Sequence, residues 1–260
     1  MNGRLTPPSA ERRVIALGGG DREKFLQGLV TNDIRKLAEG PIHAALLTPQ
    51  GKYLADFFLV PDGDRILIDV ARSLADDLLK RLALYRLRAD VEIVPTDLAV
   101  ACGLGPAPEG AFADPRAEAL GWRMIGPADS LPPSGRVDWD ALRVEHLIPE
   151  SGIELQPGES YILEWGFEQM GSVDFRKGCY VGQEVTARMK HKTELKKGMA
   201  RVEIDGRAAP GTAITAEGRA VGRLFTASGG RALAHLRYDR AGGEMRAGEA
   251  VIRWDGTRGI

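Results

Sequence analysis

Apolar and polar positions fall in short blocks along the N-terminal part of the chain. Arg13 to Leu17 reads as a strand running into Gly18, Gly19 and Gly20. Asp21 then stands where a helix cap belongs, ahead of Phe25, Leu26, Leu29 and Val30 at helical spacing. Ile42 to Thr48 and Tyr53 to Val60 are apolar runs joined by Pro49-Gln50-Gly51-Lys52, which predicts a hairpin. Pro61-Asp62-Gly63-Asp64 turns the chain into a further strand, Arg65 to Val70, and such tight turns imply a partly antiparallel sheet. Ser73 and Asp76 have capping-box spacing, after which Leu74, Leu78, Leu82, Tyr85 and Ala89 line one helix face. Strands are predicted again at Val91 to Val94 and Leu98 to Cys102. Residues 103–135, rich in Gly, Pro and Ala, read as loops around a strand at Trp122 to Ile125. Asp138 or Asp140 caps a short helix through Leu147.

From Met199 the pattern changes. Met199 to Ile204, Thr212 to Thr215, Ala220 to Thr226, Ala232 to Leu236 and Ala250 to Trp254 are short β-prone pieces separated by glycine turns. This predicts a small barrel or sandwich. The class is α+β followed by an all-β unit.

Composition narrows the function. At 260 residues, with 43% hydrophobic and 27% charged residues, the chain suits one or two globular domains. A net charge of -1 gives no global field toward nucleic acid or membrane, so attraction to either must come from a local patch. Cys102 and Cys179 are the only cysteines, which fits a reducing cytoplasm and no disulfide framework. His43, His146, His191 and His235 are scattered, and two cysteines cannot fill the four thiolate positions of a 4Fe–4S cluster. No permanent metal is expected. The start lacks the apolar core of a signal peptide and no run is long enough to span a bilayer, so the expectation is a soluble cytoplasmic protein without a membrane partner.

Residues 174–192, DFRKGCYVGQEVTARMKHK, carry the chemistry. Gly178 and Gly182 flank Cys179 and imply a tight, irregular backbone; Gln183 to Lys190 has helical character. A thiol near a helix start and beside Arg176 and Lys177 is in a setting that favours thiolate. The alternative is a buried, inert cysteine, since free cysteine is among the most buried residue types. From Arg176 to Arg201 the basic residues Arg176, Lys177, Arg188, Lys190, Lys192, Lys196, Lys197 and Arg201 face only Glu184 and Glu194. They suit a polyanion such as tRNA or a polyglutamate tail, or simply a solvated helix face. Tyr180 is the one aromatic among them, so base stacking has little platform.

Lys177-Gly178-Cys179-Tyr180-Val181-Gly182-Gln183-Glu184, followed by Arg188, resembles the signature of the YgfZ family, which includes mitochondrial 4Fe–4S assembly factors and is related to the aminomethyltransferase (T-protein) of the glycine cleavage system. Phe25 to Asp33 resembles the N-terminal block shared with T-protein, and Leu84-Tyr85-Arg86-Leu87-Arg88 a helix end of the assembly factors. The resemblance implies a three-lobed T-protein-like fold with a C-terminal β-barrel and folate in a central channel. The implied lobes are 1–60 with 136–197, an inserted lobe 61–135, and the barrel 198–260. It further implies tetrahydrofolate or a derivative as ligand, with Asp56, Glu145, Asn32 and Tyr180 as contacts. Asp56 stands in the place of a T-protein carboxylate pair whose first member is Ala55 here. Glu145 matches the pterin-binding acid of an LRLE-like stretch, Leu142-Arg143-Val144-Glu145. Trp165-Gly166 replaces a polar pair common in relatives.

The function implied is an accessory role in assembly, insertion or repair of 4Fe–4S clusters in client enzymes, without stand-alone catalysis. Cys179 is the transient nucleophile or cluster ligand, with Lys177, Gln183, Glu184 and Arg188 around it. Partners would be client enzymes or cluster-assembly proteins, and support of tRNA modification would be indirect. The alternatives are a tetrahydrofolate-dependent aminomethyltransferase, disfavoured by Ala55, and a direct tRNA-binding factor.

Overall fold

The computed structural model of the chain describes residues 11–133, 135–192 and 195–259. The polar lead at 1–10 and Glu194 lie outside the described residues, as does the Lys192 side chain. β1 (Arg12–Gly18), β2 (Ile42–Leu47), β3 (Tyr53–Asp62), β4 (Arg65–Ala71) and β5 (Glu92–Pro95) form one sheet in the order β2-β3-β4-β1-β5. Every pairing in it is antiparallel. α1 (Arg22–Gln27) and α2 (Arg72–Arg86) cover one face, where Phe25, Leu26, Leu78 and Leu82 meet Ile15, Leu17 and Phe57. Alternation along β1 sends Val14 and Ala16 to the opposite face, against Val100.

Val100 belongs to a second sheet of β6 (Ala99–Gly103), β7 (Phe112–Ala113) and β8 (Trp122–Gly126), in the order β6-β8-β7. The chain then forms α3 (Trp139–His146), capped by Asp138, whose carboxylate accepts from the Ala141 N–H at 2.8 Å. After α4 (Gln183–Lys192) come β9 (Lys197–Asp205), β10 (Ala213–Ala216), β11 (Arg219–Ser228), β12 (Arg231–Arg237), β13 (Met245–Ala247) and β14 (Ala250–Arg253). They close into a barrel, β10-β11-β12-β9-β14-β13, sealed by pairing of β10 with β13. β13 is too short to stand out as an apolar run.

Three local expectations are corrected. The boundary at 60/61 would cut the first sheet, because β4 pairs with both β3 and β1. α2 starts at Arg72 straight out of β4 with no side-chain cap, and Asp76 instead pairs with Arg13 at 2.6 Å. Asp21 does not cap α1; its carboxylate accepts from the Asp90 N–H at 2.9 Å.

Candidate functional site

Cys179 is exposed, whereas Cys102 is buried in the second sheet. The loop that presents Cys179 is fixed on both sides. Upstream, the Lys177 ammonium is buried and donates to the carbonyls of Gln27, at 2.7 Å, and Val30. Gln27 ends α1 and Val30 follows it, and carbonyls at a helix C-terminus are the place where a cation is favoured. Gln27 answers by donating from Nε2 to the Lys177 carbonyl. Downstream, Tyr180 is buried, Val181 joins the first-sheet core, and the Gln183 side chain accepts from the Tyr180 N–H at 3.2 Å. Gly182, at φ +85°, lies against the β2–β3 turn; a Cβ there would stand 2.6 Å from the Thr48 carbonyl oxygen.

The expected basic pair beside the thiol is therefore split. Arg176 faces solvent and Lys177 turns inward, because the α1 carbonyls need a donor. Glu184 and Arg188 pair with each other on the exposed side of α4 at 2.5 Å. The basic stretch is largely neutralised: Lys190 meets Glu168, Lys197 meets Glu164 and Arg201 meets Glu145. Among the described side chains of this stretch, Arg176 and Lys196 remain exposed without an acidic partner.

Burial pushes Lys177 from 10.5 down to about 8. Between those values the unfolded chain binds the extra proton, so stability rises with pH across that interval. Denaturant unfolding should show this rise for the unaltered protein and lose it in Lys177→Met. Parallel pH profiles for the two proteins would count against the inward placement.

Asp56 lies elsewhere, deep between the sheet and the segment that follows α3. Its carboxylate accepts from the Tyr53 hydroxyl at 2.6 Å, from Ser151, and from His43 Nε2 at 3.0 Å. Burial would raise the carboxyl, but the hydrogen bonds from His43 and Ser151 and the charge of Arg12 hold it below its usual range, and burial holds His43 neutral. His43 then carries its proton on Nε2, and its Nδ1 accepts from the Ser172 hydroxyl at 2.7 Å. Thr31 donates to the Ser172 carbonyl, and Asn32 donates to the carbonyls of His43 and Gly171. Asn32 thus spends its amide on the fold, linking the strand that bears His43 to the chain leading to Cys179.

Around Asp56 the centre of the molecule is filled by charge. Asp69 accepts from Arg12 and Arg123, each at 2.6 Å, and Asp114 from Arg116 at 2.8 Å. All three guanidinium groups lie over the Phe58 ring, Arg123 at 4.0 Å. Nearby, Arg143 binds Glu154 at 2.9 Å and Thr226 at 2.7 Å, joining α3 to the barrel. The remaining cavity is about 30 Å³, room for roughly one water. None of this network is legible in local sequence pattern. An open cleft of about 650 Å³ lies instead beside the barrel, with Lys52, Tyr161, Trp165, Lys197, Arg223 and His235 in its walls. Trp165 there packs at a tilt against His235 and meets Phe225 edge-on, so the Trp165-Gly166 departure serves to dock the barrel.

Glu145 lines neither space. It is half-exposed on α3 and held by Arg201 at 2.8 Å and by Arg231, which depress its pKa. Among the described residues, no three His, Cys, Asp or Glu side chains gather as a metal site.

Residues 196–256 match the family of the CAF17 C-terminal β-barrel domain. The mitochondrial iron–sulfur cluster assembly factor IBA57 of Homo sapiens is 33% identical over 286 aligned positions, covering 92% of this chain and 80% of that protein. The Mus musculus protein of the same name is 30% identical, covering 90% and 78%. The homologue from Pyricularia oryzae is 30% identical over 72% of this chain, which spans only 54% of that longer protein. The crystal structure of glycine cleavage system aminomethyltransferase T from Bartonella henselae superposes with a TM-score of 0.72 at 14% identity, covering 94% of this chain and 82% of that one. The fold is therefore that of the T-protein, ending in a closed six-stranded barrel. The relatives' names place them in mitochondria, which overturns the cytoplasmic expectation. Reduced cysteines report on redox state, not on which reducing compartment holds the chain, and organellar targeting segments lack the apolar core sought at the N-terminus.

Proposed function

The chain belongs to the family of the iron–sulfur cluster assembly factor IBA57, and on that footing we propose that it is an accessory factor in iron–sulfur cluster assembly whose working group is the Cys179 thiol. The observation that carries this reading is an exposed thiol on a loop locked at both ends. Such a thiol is open to a docking partner and can take one coordination position on iron. The other positions must come from a partner, because one cysteine falls short of a cluster's needs. The partners in this reading are cluster-assembly proteins or the client enzymes, and any support of tRNA modification passes through those clients.

A folate-class ligand fits the interior poorly. A ring system with a glutamate tail needs a pocket of roughly 300 Å³ or more, against the cavity of about 30 Å³ beside Asp56. Asp56 is also fully engaged by internal donors. The cleft beside the barrel has the room, with Lys52, Lys197 and Arg223 for carboxylates and the Trp165–His235 wall for a ring. No step of the proposed role runs through folate. The aminomethyltransferase alternative is disfavoured by Ala55 and by the sequestered Asp56.

The test is Cys179→Ser in cells lacking this protein. A 4Fe–4S enzyme should stay as inactive as in the deletion, while the purified variant melts like the unaltered protein because the side chain is exposed. Full rescue of the enzyme would remove Cys179 from the mechanism.

A further inference from the structure

Three of the five large apolar side chains exposed among the described residues fall together at the end of α2: Leu84 at 76%, Leu87 at 87% and Tyr85 at 38%. Leu84 to Leu87 end α2, which packs beside the edge strand β5 through Ile93, while Val94 alternates to the other face of the sheet. Isolated exposed leucines need no account, but a cluster with no covering element does. The helix stripe explains its inner side only. Ala75, Leu78 and Leu82 face the sheet, whereas Tyr85, expected to continue that stripe, is already outside.

The backbone holds the corner open at a cost. Leu87 has φ +44° and ψ -106°, a conformation that L-residues avoid, and it directs the most exposed of these side chains into solvent. A glycine would take this turn without strain.

The charge on the helix end itself has one sign. Residues 78–89 contain Lys80, Arg81, Arg86 and Arg88 and no acidic residue. Of the neighbouring acids, Asp76 pairs with Arg13 and Asp77 with Lys80, while Asp90 accepts from the Gly20 N–H and Glu92 stands exposed on β5. Arg81, Arg86 and Arg88 have no ion partner among the described residues.

We infer that this corner is a peripheral docking site for an anionic lipid surface, with Leu84 and Leu87 entering the interface and the arginines meeting headgroup phosphates. Shape decides for a bilayer over a peptide. From Ala83 to Arg88 every residue is exposed, so the corner protrudes and offers no groove in which a partner helix could lie. A protruding apolar tip collared by cations matches the interfacial zone, where acyl chains begin just below charged headgroups. No helix of the described residues is long and apolar enough to cross a membrane, so the contact is superficial. Composition alone argued against a membrane partner; the local patch reverses that expectation. The inference does not depend on Cys179.

Flotation of the full chain with vesicles tests it. Vesicles of phosphatidylcholine containing phosphatidylglycerol should carry the protein, and phosphatidylcholine alone should carry about tenfold less or lower still. Arg86→Gln with Arg88→Gln should cut flotation by a further order of magnitude or so, and Leu84→Asp should abolish it. Leu87→Gly should also weaken flotation yet melt at the same or a higher temperature, since it relieves the backbone. Absence of flotation with anionic vesicles, or flotation indifferent to these substitutions, overturns the proposal. So does a corner whose substitutions disturb only association with another protein.

Discussion

Asp69→Ala is expected to be the most destabilising single substitution in the centre of the molecule, lowering the unfolding free energy by about 3–5 kcal/mol. Asp69 is fully buried and receives both Arg12 and Arg123, and Arg123 is itself buried. Removing the carboxylate leaves guanidinium charge out of water with Asp114, at 3.5 Å, as the remaining partner of Arg123. The loss would also loosen the stack over Phe58, which ties β1 and β3 of the first sheet to β8 of the second. Urea unfolding measures the cost, and a change below about 1 kcal/mol would show that water reaches the pair. The pH dependence has a definite sign. Asp56, Asp69 and Asp114 are all held below their ordinary 3.8. Their contribution is full above that value and is lost as pH falls through the lower folded values. Asp69→Ala should flatten part of this acid limb.

The second large effect is expected at Gly182→Ala. The position combines φ +85° with a site where a Cβ meets the Thr48 carbonyl oxygen at 2.6 Å and the Leu47 Cβ at 2.9 Å. The left-handed conformation alone costs about 1–2 kcal/mol for an L-residue, and the backbone oxygen cannot move without opening the β2–β3 turn. A total of roughly 2–4 kcal/mol follows, together with displacement of the Cys179 loop. Gly178→Ala is the internal control. It shares a positive φ, +101°, but a Cβ there meets nothing within 4 Å, so it carries only the conformational term. Thermal melts and rescue of a cluster-dependent enzyme should rank the two variants, with Gly182→Ala worse in both. Equal behaviour would mean that contact with the β2–β3 turn does not position the loop.

The elements easiest to read from sequence were those whose signal is local. β2, β3 and β4 follow from apolar runs and turn residues, α3 from a cap at Asp138 or Asp140, of which Asp138 serves, and the barrel strands from glycine turns. β13 escaped because three residues carry no periodicity. The irregular loop that carries Cys179 was legible through Gly178 and Gly182, both at positive φ. The direction of Lys177 was not, since its partners at Gln27 and Val30 lie far away in the chain. The central charge network escaped for the same reason: Arg12, Asp69, Asp114 and Arg123 sit singly in unrelated segments, and only the packing of two sheets brings them together. Glu145 shows the converse. A motif places it in the family's ligand site, while local geometry gives it two arginines at the surface.

The double anchoring of the Cys179 loop bears on how any complex would form. Lys177 on one side and Tyr180 and Gln183 on the other leave the thiol little conformational freedom to surrender. A preorganised contact loses little entropy on association, and that favours quick capture and slow release. The same stiffness makes the loop a poor adapter: it cannot reshape itself around successive partners. If one chain serves several recipients in turn, the mobile half of each encounter has to be contributed by the recipient.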